Sequence, residues 1–151
     1  MPTLERLTPG DARGALRWDE FVMACPQATF FHRAAWQDIM RGVFKHDTHY
    51  LFAHEAGRIT GVLPLAHVKS MLFGNALTSL PFAVYGGVAS VDEASAVALE
   101  QEAERLAREL GVDHLELRQL NRQHEGWPAQ VVAVIANRPQ AGGLAWAAGH
   151  R

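Results

Sequence analysis

A single cysteine, Cys25, stands in 151 residues, so no disulfide can form within the chain. A lone thiol of this kind is expected to be a small buried side chain in a reducing compartment. An excess of one charge is also missing. The 14 basic and 16 acidic residues leave a formal net charge of -2, which creates no global field to recruit nucleic acid or an anionic membrane. No window holds enough uninterrupted apolar residues to span a bilayer, and the opening MPTLERLTPGDARG lacks the basic-then-apolar order of a secretory signal. A soluble, cytoplasmic protein without a membrane span is the expectation.

Several chemistries lack their signatures. Eight histidines occur, yet none is spaced His-x-x-x-His and none shares a helix with a cluster of Cys or carboxylates, so no metal site is expected. His46 and His67 can face one another across a hairpin, but two ligands do not make a site. No Gly-x-Ser-x-Gly elbow supports a serine nucleophile. A coenzyme A enzyme needs backbone N–H groups at a helix start, usually within Arg/Gln-x-x-Gly-x-Gly/Ala. Tyr85-Gly86-Gly87-Val88-Ala89-Ser90 lacks that spacing and its basic residue, which counts against coenzyme A and leaves no cofactor expected.

What is present is organised around His46 to Ser70, HDTHYLFAHEAGRITGVLPLAHVKS, which reads as two strands turning at Glu55-Ala56-Gly57-Arg58. A regular register pairs Glu55 with Arg58 and sets Phe52 opposite Gly61, Tyr50 opposite Leu63 and Thr48 opposite Leu65. Leu51, Ala53, Val62 and Ala66 then share the other face, so both faces are apolar and the sheet needs cover on both sides. Pro64 cannot donate to a ladder, so a bulge or an unpaired neighbour is expected there.

The rest of the chain alternates around this hairpin. Pro2 to Leu7 reads as an edge strand, and Asp11 to Ala24 as a helix with Leu16, Phe21 and Ala24 inward and Trp18 partly so. Ala34 to Phe44 is a second helix, with Trp36, Ile39, Met40 and Val43 at helical spacing. Ala76 to Leu80 is a short strand. Ser90 is the expected N-cap of the longest helix, whose inward stripe is Ala96, Leu99, Ala103, Leu106 and Leu110, with Gly111 as its C-cap. Val112 to Arg118 follows as a strand, with Leu115 and Leu117 on one face. At 48% hydrophobic the chain can bury one core, so residues 1–127 are expected to form one domain. The order of strand, helix, helix, hairpin, strand, helix and strand is an α/β pattern. It matches the mixed sheet with helices on both faces of the GCN5-related N-acetyltransferase sandwich.

TFFHRAAW at 29–36, GVLPLAHVKS at 61–70, LPFAVYGGV at 80–88 and HLELRQLN at 114–121, in that order and spacing, resemble the FemAB-like aminoacyltransferases. The branch they most resemble is the one associated with PEP-CTERM/exosortase and exopolysaccharide loci. The resemblance implies a protein of two tandem acetyltransferase-like domains, of which this chain would be the first, inactive without the second. It further implies an aminoacyl-tRNA donor and a peptidoglycan or polysaccharide precursor as acceptor. The acceptor groove would be lined by His32, Arg33, Trp36 and Arg41, the arginines suiting phosphates, with Tyr85, Gly86 and Gly87 where a ligand approaches the backbone. Structural roles for these residues compete: Trp36 as packing, the arginines as solvated side chains, the paired glycines as a strained turn. No catalytic base is identified; His114 and Glu116 qualify by location only. From Gly126 onward there is no acidic residue and no lysine, so residues 128–151 are expected to be an atypical tail, arising from a frame change or serving as a terminal strand with a flexible end. A stand-alone ligand-binding module and a small acetyl-CoA-dependent N-acetyltransferase are the alternatives.

Overall fold

The computed structural model describes residues 1–70, 74–79, 87–119 and 130–131. In chain order these form β1 (Thr3–Arg6), α1 (Ala12–Ala24), a 3₁₀ turn (Phe30–His32), α2 (Ala35–Gly42), β2 (Asp47–Glu55) and β3 (Arg58–Ser70). There follow β4 (Gly74–Thr78), β5 (Ala89–Ser90), α3 (Glu93–Leu110), β6 (His114–Glu116), and the short antiparallel pair β7 (Arg118–Gln119) and β8 (Gln130–Val131). The expected alternation is present, with the 3₁₀ turn and β5 added. One mixed six-stranded sheet runs β1-β2-β3-β4-β6, and β5 pairs with β3 beyond the end of β4. Every pairing in it is antiparallel except β4 with β6, which are parallel and joined through α3.

The hairpin turns where expected, with Ala56 and Gly57 both at positive φ (49° and 78°) and Glu55 opposite Arg58. The regular register does not hold. A bulge sets Ile59 opposite His54 but Gly61 opposite Ala53, leaving Thr60 extra, so Leu63 pairs with Leu51, Pro64 with Tyr50 and Ala66 with Thr48. Because side chains alternate every residue, this one-residue slip moves Leu63 and Leu65 to the face opposite the one expected. They join Leu51, Ala53, Leu77 and Leu115 against α3, while Val62 joins Tyr50 and Phe52 against α1. Helices therefore cover both faces.

The expected irregularity at Pro64 is resolved differently. Leu7 N donates to Tyr50 O, so the backbone of Tyr50 faces β1 and that of its partner Pro64 faces away from β2, toward β4 and β5. On that side β5 ends at Val62 and β4 at Ala66. The missing N–H thus falls in the interval between two partial partner strands. Thr60 is stabilised where it is: its carbonyl accepts from Val91 N (2.9 Å) and its hydroxyl contacts Ser95 Oγ (2.7 Å). Deleting Thr60 removes the bulge while leaving Gly61 opposite Ala53, so the variant is expected to fold with a loss of about 1–2 kcal/mol, measured by urea denaturation. Loss of the cooperative transition would show that the bulge is essential.

In α1 the inward face is Ala15, Trp18 and Val22, continued by the cap residue Cys25; Trp18 is fully buried, and Phe21 is partly buried against the same core, as expected. Leu16 is 65% exposed, and Ala24 is exposed, contrary to expectation. Two residues of helix rotate a side chain by roughly 200°, so once Trp18 points inward Leu16 cannot. The cap of α1 is Asp11, which accepts from Gly14 N at 2.9 Å. Cys25 is buried, as expected of it.

α2 is shorter than its periodicity suggested. Gln37 and Met40 are its buried residues, Trp36 and Ile39 are half-buried and Val43 is exposed. Gln37 is buried because its amide donates to Leu7 O and Thr48 Oγ1 (3.2 and 3.1 Å), and Asp19 of α1 accepts from Ala34 N at the start of α2. Ser90 lies in β5, and the cap of α3 is Asp92, which accepts from Ser95 N (2.7 Å). Leu99, Ala103 and Leu106 are buried, Ala96 and Leu110 are partly buried, and Gly111 closes the helix at φ 68°. No helix among the described residues is long and apolar enough to cross a membrane.

Candidate functional site

Two places gather polar groups into defined geometry. The first lies where β4 leaves the sheet. Ser79, just past β4, donates its backbone N–H to Glu116 O on parallel β6 (2.9 Å) and accepts from Gly87 N through Oγ (2.7 Å). Gly87, at φ 80°, returns the chain toward β5, so one hydrogen bond ties together the two ends of the excursion between β4 and β5. His32 grips the same glycine from the other side. Its Nδ1 accepts from Thr29 N (3.0 Å), which leaves the proton on Nε2, and Nε2–H donates to Gly87 O (3.0 Å). Burial pushes the His32 pKa below its ordinary value, against the opposing effect of the Gly87 bond, so the ring is neutral. Replacing His32 with alanine leaves the buried Gly87 carbonyl without this donor and is expected to cost about 2 kcal/mol in urea denaturation. A cost near zero would mean the ring does not hold Gly87.

The expected site residues do not assemble in one place. His32 and Gly87 meet directly, while Tyr85 and Gly86 lie outside the described residues. Arg33 and Trp36 belong to a half-exposed aromatic group. Phe30, Phe31 and Trp36 pack with centroids 5.4–6.0 Å apart, and the Arg33 guanidinium sits 5.8 Å over the Phe30 ring. Arg41, at the far end of α2, lines a separate groove.

That groove, of about 460 Å³, is the second place. It opens beside the start of β2 and is lined by Arg6, Arg41, Asp47, Thr48, His49 and His67 among others. Arg6 Nη2 donates to Thr48 O (3.1 Å) and contacts His49 Nδ1. The imidazole of His67 contacts the Asn75 side-chain oxygen. The Arg41 side chain is exposed and lines this groove from the last turn of α2. Two guanidinium groups thus face one lining carboxylate. His49 is held down at about pKa 4, first by burial, then by Arg6 and His67, with Asp47 and Glu109 pulling the other way. His46 is lowered too, by burial and by His67.

The linkage follows from these directions. A histidine held neutral in the folded state takes a proton more readily when unfolded. Its contribution to stability is therefore complete above about pH 6.5 and falls as pH drops toward about 4. Urea midpoints measured across that window are expected to decline with acidification, and His49→Gln to flatten the decline. An unchanged slope in the variant would assign the acid sensitivity elsewhere.

The start of α3 is unsuited to a phosphate. One of its first N–H groups, that of Ser95, already serves the Asp92 carboxylate, and Glu93 adds a second negative charge in the first turn. Among the described residues no group of three or more His, Cys, Asp or Glu is placed to hold a metal ion. Arg6 and Ser79 carry no local sequence signal, and His49 none beyond its place among the eight histidines. Thr29-x-x-His32 does carry the spacing of a capping box, with histidine in the place usually taken by Glu or Gln.

No family model matches this chain, and no curated protein matches it significantly.

Proposed function

We propose that this chain is an acyltransferase-type domain, the amino-terminal half of a FemAB-like aminoacyl or acyl transferase that modifies an envelope polysaccharide or peptidoglycan precursor. The observation that carries this reading is the interrupted partner of β3. β4 pairs in parallel with β6 through α3, and among the described residues Pro64 falls in the interval between the partner segments β5 and β4, with Ser79, Gly87 and His32 fixing the rim of that interval. Ligands of open α/β sheets bind at the carboxyl ends of parallel strands, and Ser79 stands at that end of β4. A mixed sheet of this order with helices on both faces agrees with a GCN5-related N-acetyltransferase-like sandwich. The acidic start of α3 argues for a donor other than coenzyme A, and aminoacyl-tRNA is the donor under this reading. Catalysis would rest mainly on holding an amine beside an activated ester.

A second reading has its own observation. Both ring nitrogens of His32 are engaged, so the polar rim offers no free imidazole base. That favours ligand binding without turnover when the domain is alone. The deciding experiment supplies a second acetyltransferase-like domain in trans, with charged tRNA and an amine-bearing precursor, and follows transfer of a labelled aminoacyl group. Transfer that requires both domains supports the transferase, and precursor binding without transfer supports the binding module. Heat of coenzyme A binding in calorimetry would sink the proposal in favour of an acetyl-CoA enzyme.

A further inference from the structure

The groove beside the start of β2 shares no lining residue with the cluster of His32, Ser79 and Gly87, and its chemistry points elsewhere. Arg6 is anchored at one donor by the Thr48 carbonyl, which fixes the guanidinium at the rim and leaves its remaining donors for a ligand. Arg41 reaches the same space from α2. His49 and His67, 7% and 6% exposed, form the buried side of the groove. The His49 ring accepts from Arg6 through Nδ1 only while that nitrogen carries no proton. A cation pinned against a neutral imidazole is a paired state with a clear alternative: an oxyanion between them accepts from the guanidinium and from a newly protonated imidazole together.

We propose that this groove is a proton-linked anion site, which takes up a phosphate-type oxyanion together with one solvent proton on His49. The ligand class is a phosphate ester or its sulfate analogue, since forked guanidinium donors match tetrahedral oxyanions. Every charged or titratable group facing His49 fits one of two roles. Arg6 and His67, together with burial, resist its protonation until an anion offsets them, and Asp47 and Glu109 favour it and are too few to do so alone; Arg41 adds a second guanidinium to the lining, and His46 stands beyond, beside His67. The inference is independent of the transferase reading and survives its failure.

Sulfate is the probe, because it remains a dianion at every pH at which the protein is folded and its own titration cannot mimic the effect. Calorimetric titration with sulfate at constant ionic strength is expected to show affinity at least about tenfold higher near about pH 5.5 than near about pH 7.5. Running it in two buffers of different ionisation heat should count about one proton taken up per sulfate. Arg41→Gln should weaken binding, and His49→Gln should retain weak binding and lose the pH dependence. Arg6→Gln should abolish binding. Should Arg6→Gln fail to fold, the ring resonances of His49 in the unaltered protein decide instead, titrating at higher pH in sulfate than in chloride. Glycerol 3-phosphate and vesicles carrying phosphatidic acid, run in parallel, separate a soluble ester from a lipid headgroup, and proton-coupled binding of either supports the site. Binding equal at both pH values, chloride competing as well as sulfate, or a pH dependence that persists in His49→Gln overturns it.

Discussion

Replacing Trp18 with alanine is expected to cost about 3–5 kcal/mol, the largest loss from any single side chain here. Trp18 is fully buried, stacks on Tyr50 at 5.2 Å, meets Phe52 edge-on at 6.5 Å, and donates from Nε1 to His32 O at 2.6 Å. Truncation removes the ring contacts, opens a cavity between α1 and the sheet, and strips the partner from a buried carbonyl. Typical domains hold only about 5–15 kcal/mol in total, so the variant should melt far earlier. Trp18→Phe separates the two contributions. It keeps much of the packing but loses the donor, and should cost about 1–3 kcal/mol. Urea denaturation followed by far-ultraviolet dichroism measures both. Equal losses would show that the hydrogen bond dominates and that packing of the indole matters little. The same bond links the core to the rim, because the residue whose carbonyl Trp18 holds is the one whose ring grips Gly87.

The second expectation concerns Gly61. The bulge turns this residue toward α3, where an added Cβ would stand 3.0 Å from Leu99 Cδ1, 3.1 Å from Ser90 Cβ and 3.4 Å from Ser95 Cβ. Alanine asks both the Leu99 methyl and the Ser90 Cβ to give by a few tenths of an ångström and should cost about 1 kcal/mol. Valine adds two more carbons against Ser90 and Ser95, which β5 and the first turn of α3 hold in place, so Gly61→Val should cost about 3 kcal/mol. Chemical denaturation of Gly61→Ala and Gly61→Val side by side tests the register itself. A neutral valine would mean that Gly61 does not lie under α3 and that the bulge is misplaced.

Much of the architecture could be read from the residues, and the failures have identifiable causes. The turn at Ala56-Gly57 and the long helix ending at Gly111 carry local signals, a two-residue hairpin loop and a three-four apolar stripe, and both stand as read. The bulge at Thr60 carries none. Arg58 to Ala66 is apolar on both faces, so a slip of one residue replaces apolar side chains with apolar side chains, and no alternation marks the error. In α1 the choice between Leu16 and Trp18 as the inward residue depends on what the sheet presents opposite, which is Tyr50 and Phe52. His32 and Gly87 could be singled out individually, but their contact spans 55 residues. The groove was beyond reach for the same reason: Arg6 meets His49 across 43 positions, brought there only by the pairing of β1 with β2.

The proline in β3 has a consequence for how the sheet would look to isotope exchange. Where the partner strand changes from β5 to β4, the backbone groups of Val62, Pro64 and Ala66 turn to that side, and Val62 and Ala66 each have a partner residue there. Between them the Pro64 nitrogen carries no hydrogen. Deuterium uptake along β3 is therefore blind at Pro64, since the method reads amide hydrogens and this nitrogen carries none. An isotope-edited infrared band from a carbon-13 label at the Pro64 carbonyl reads the same position, which makes that single oxygen the natural reporter of whatever lies between the two strand segments.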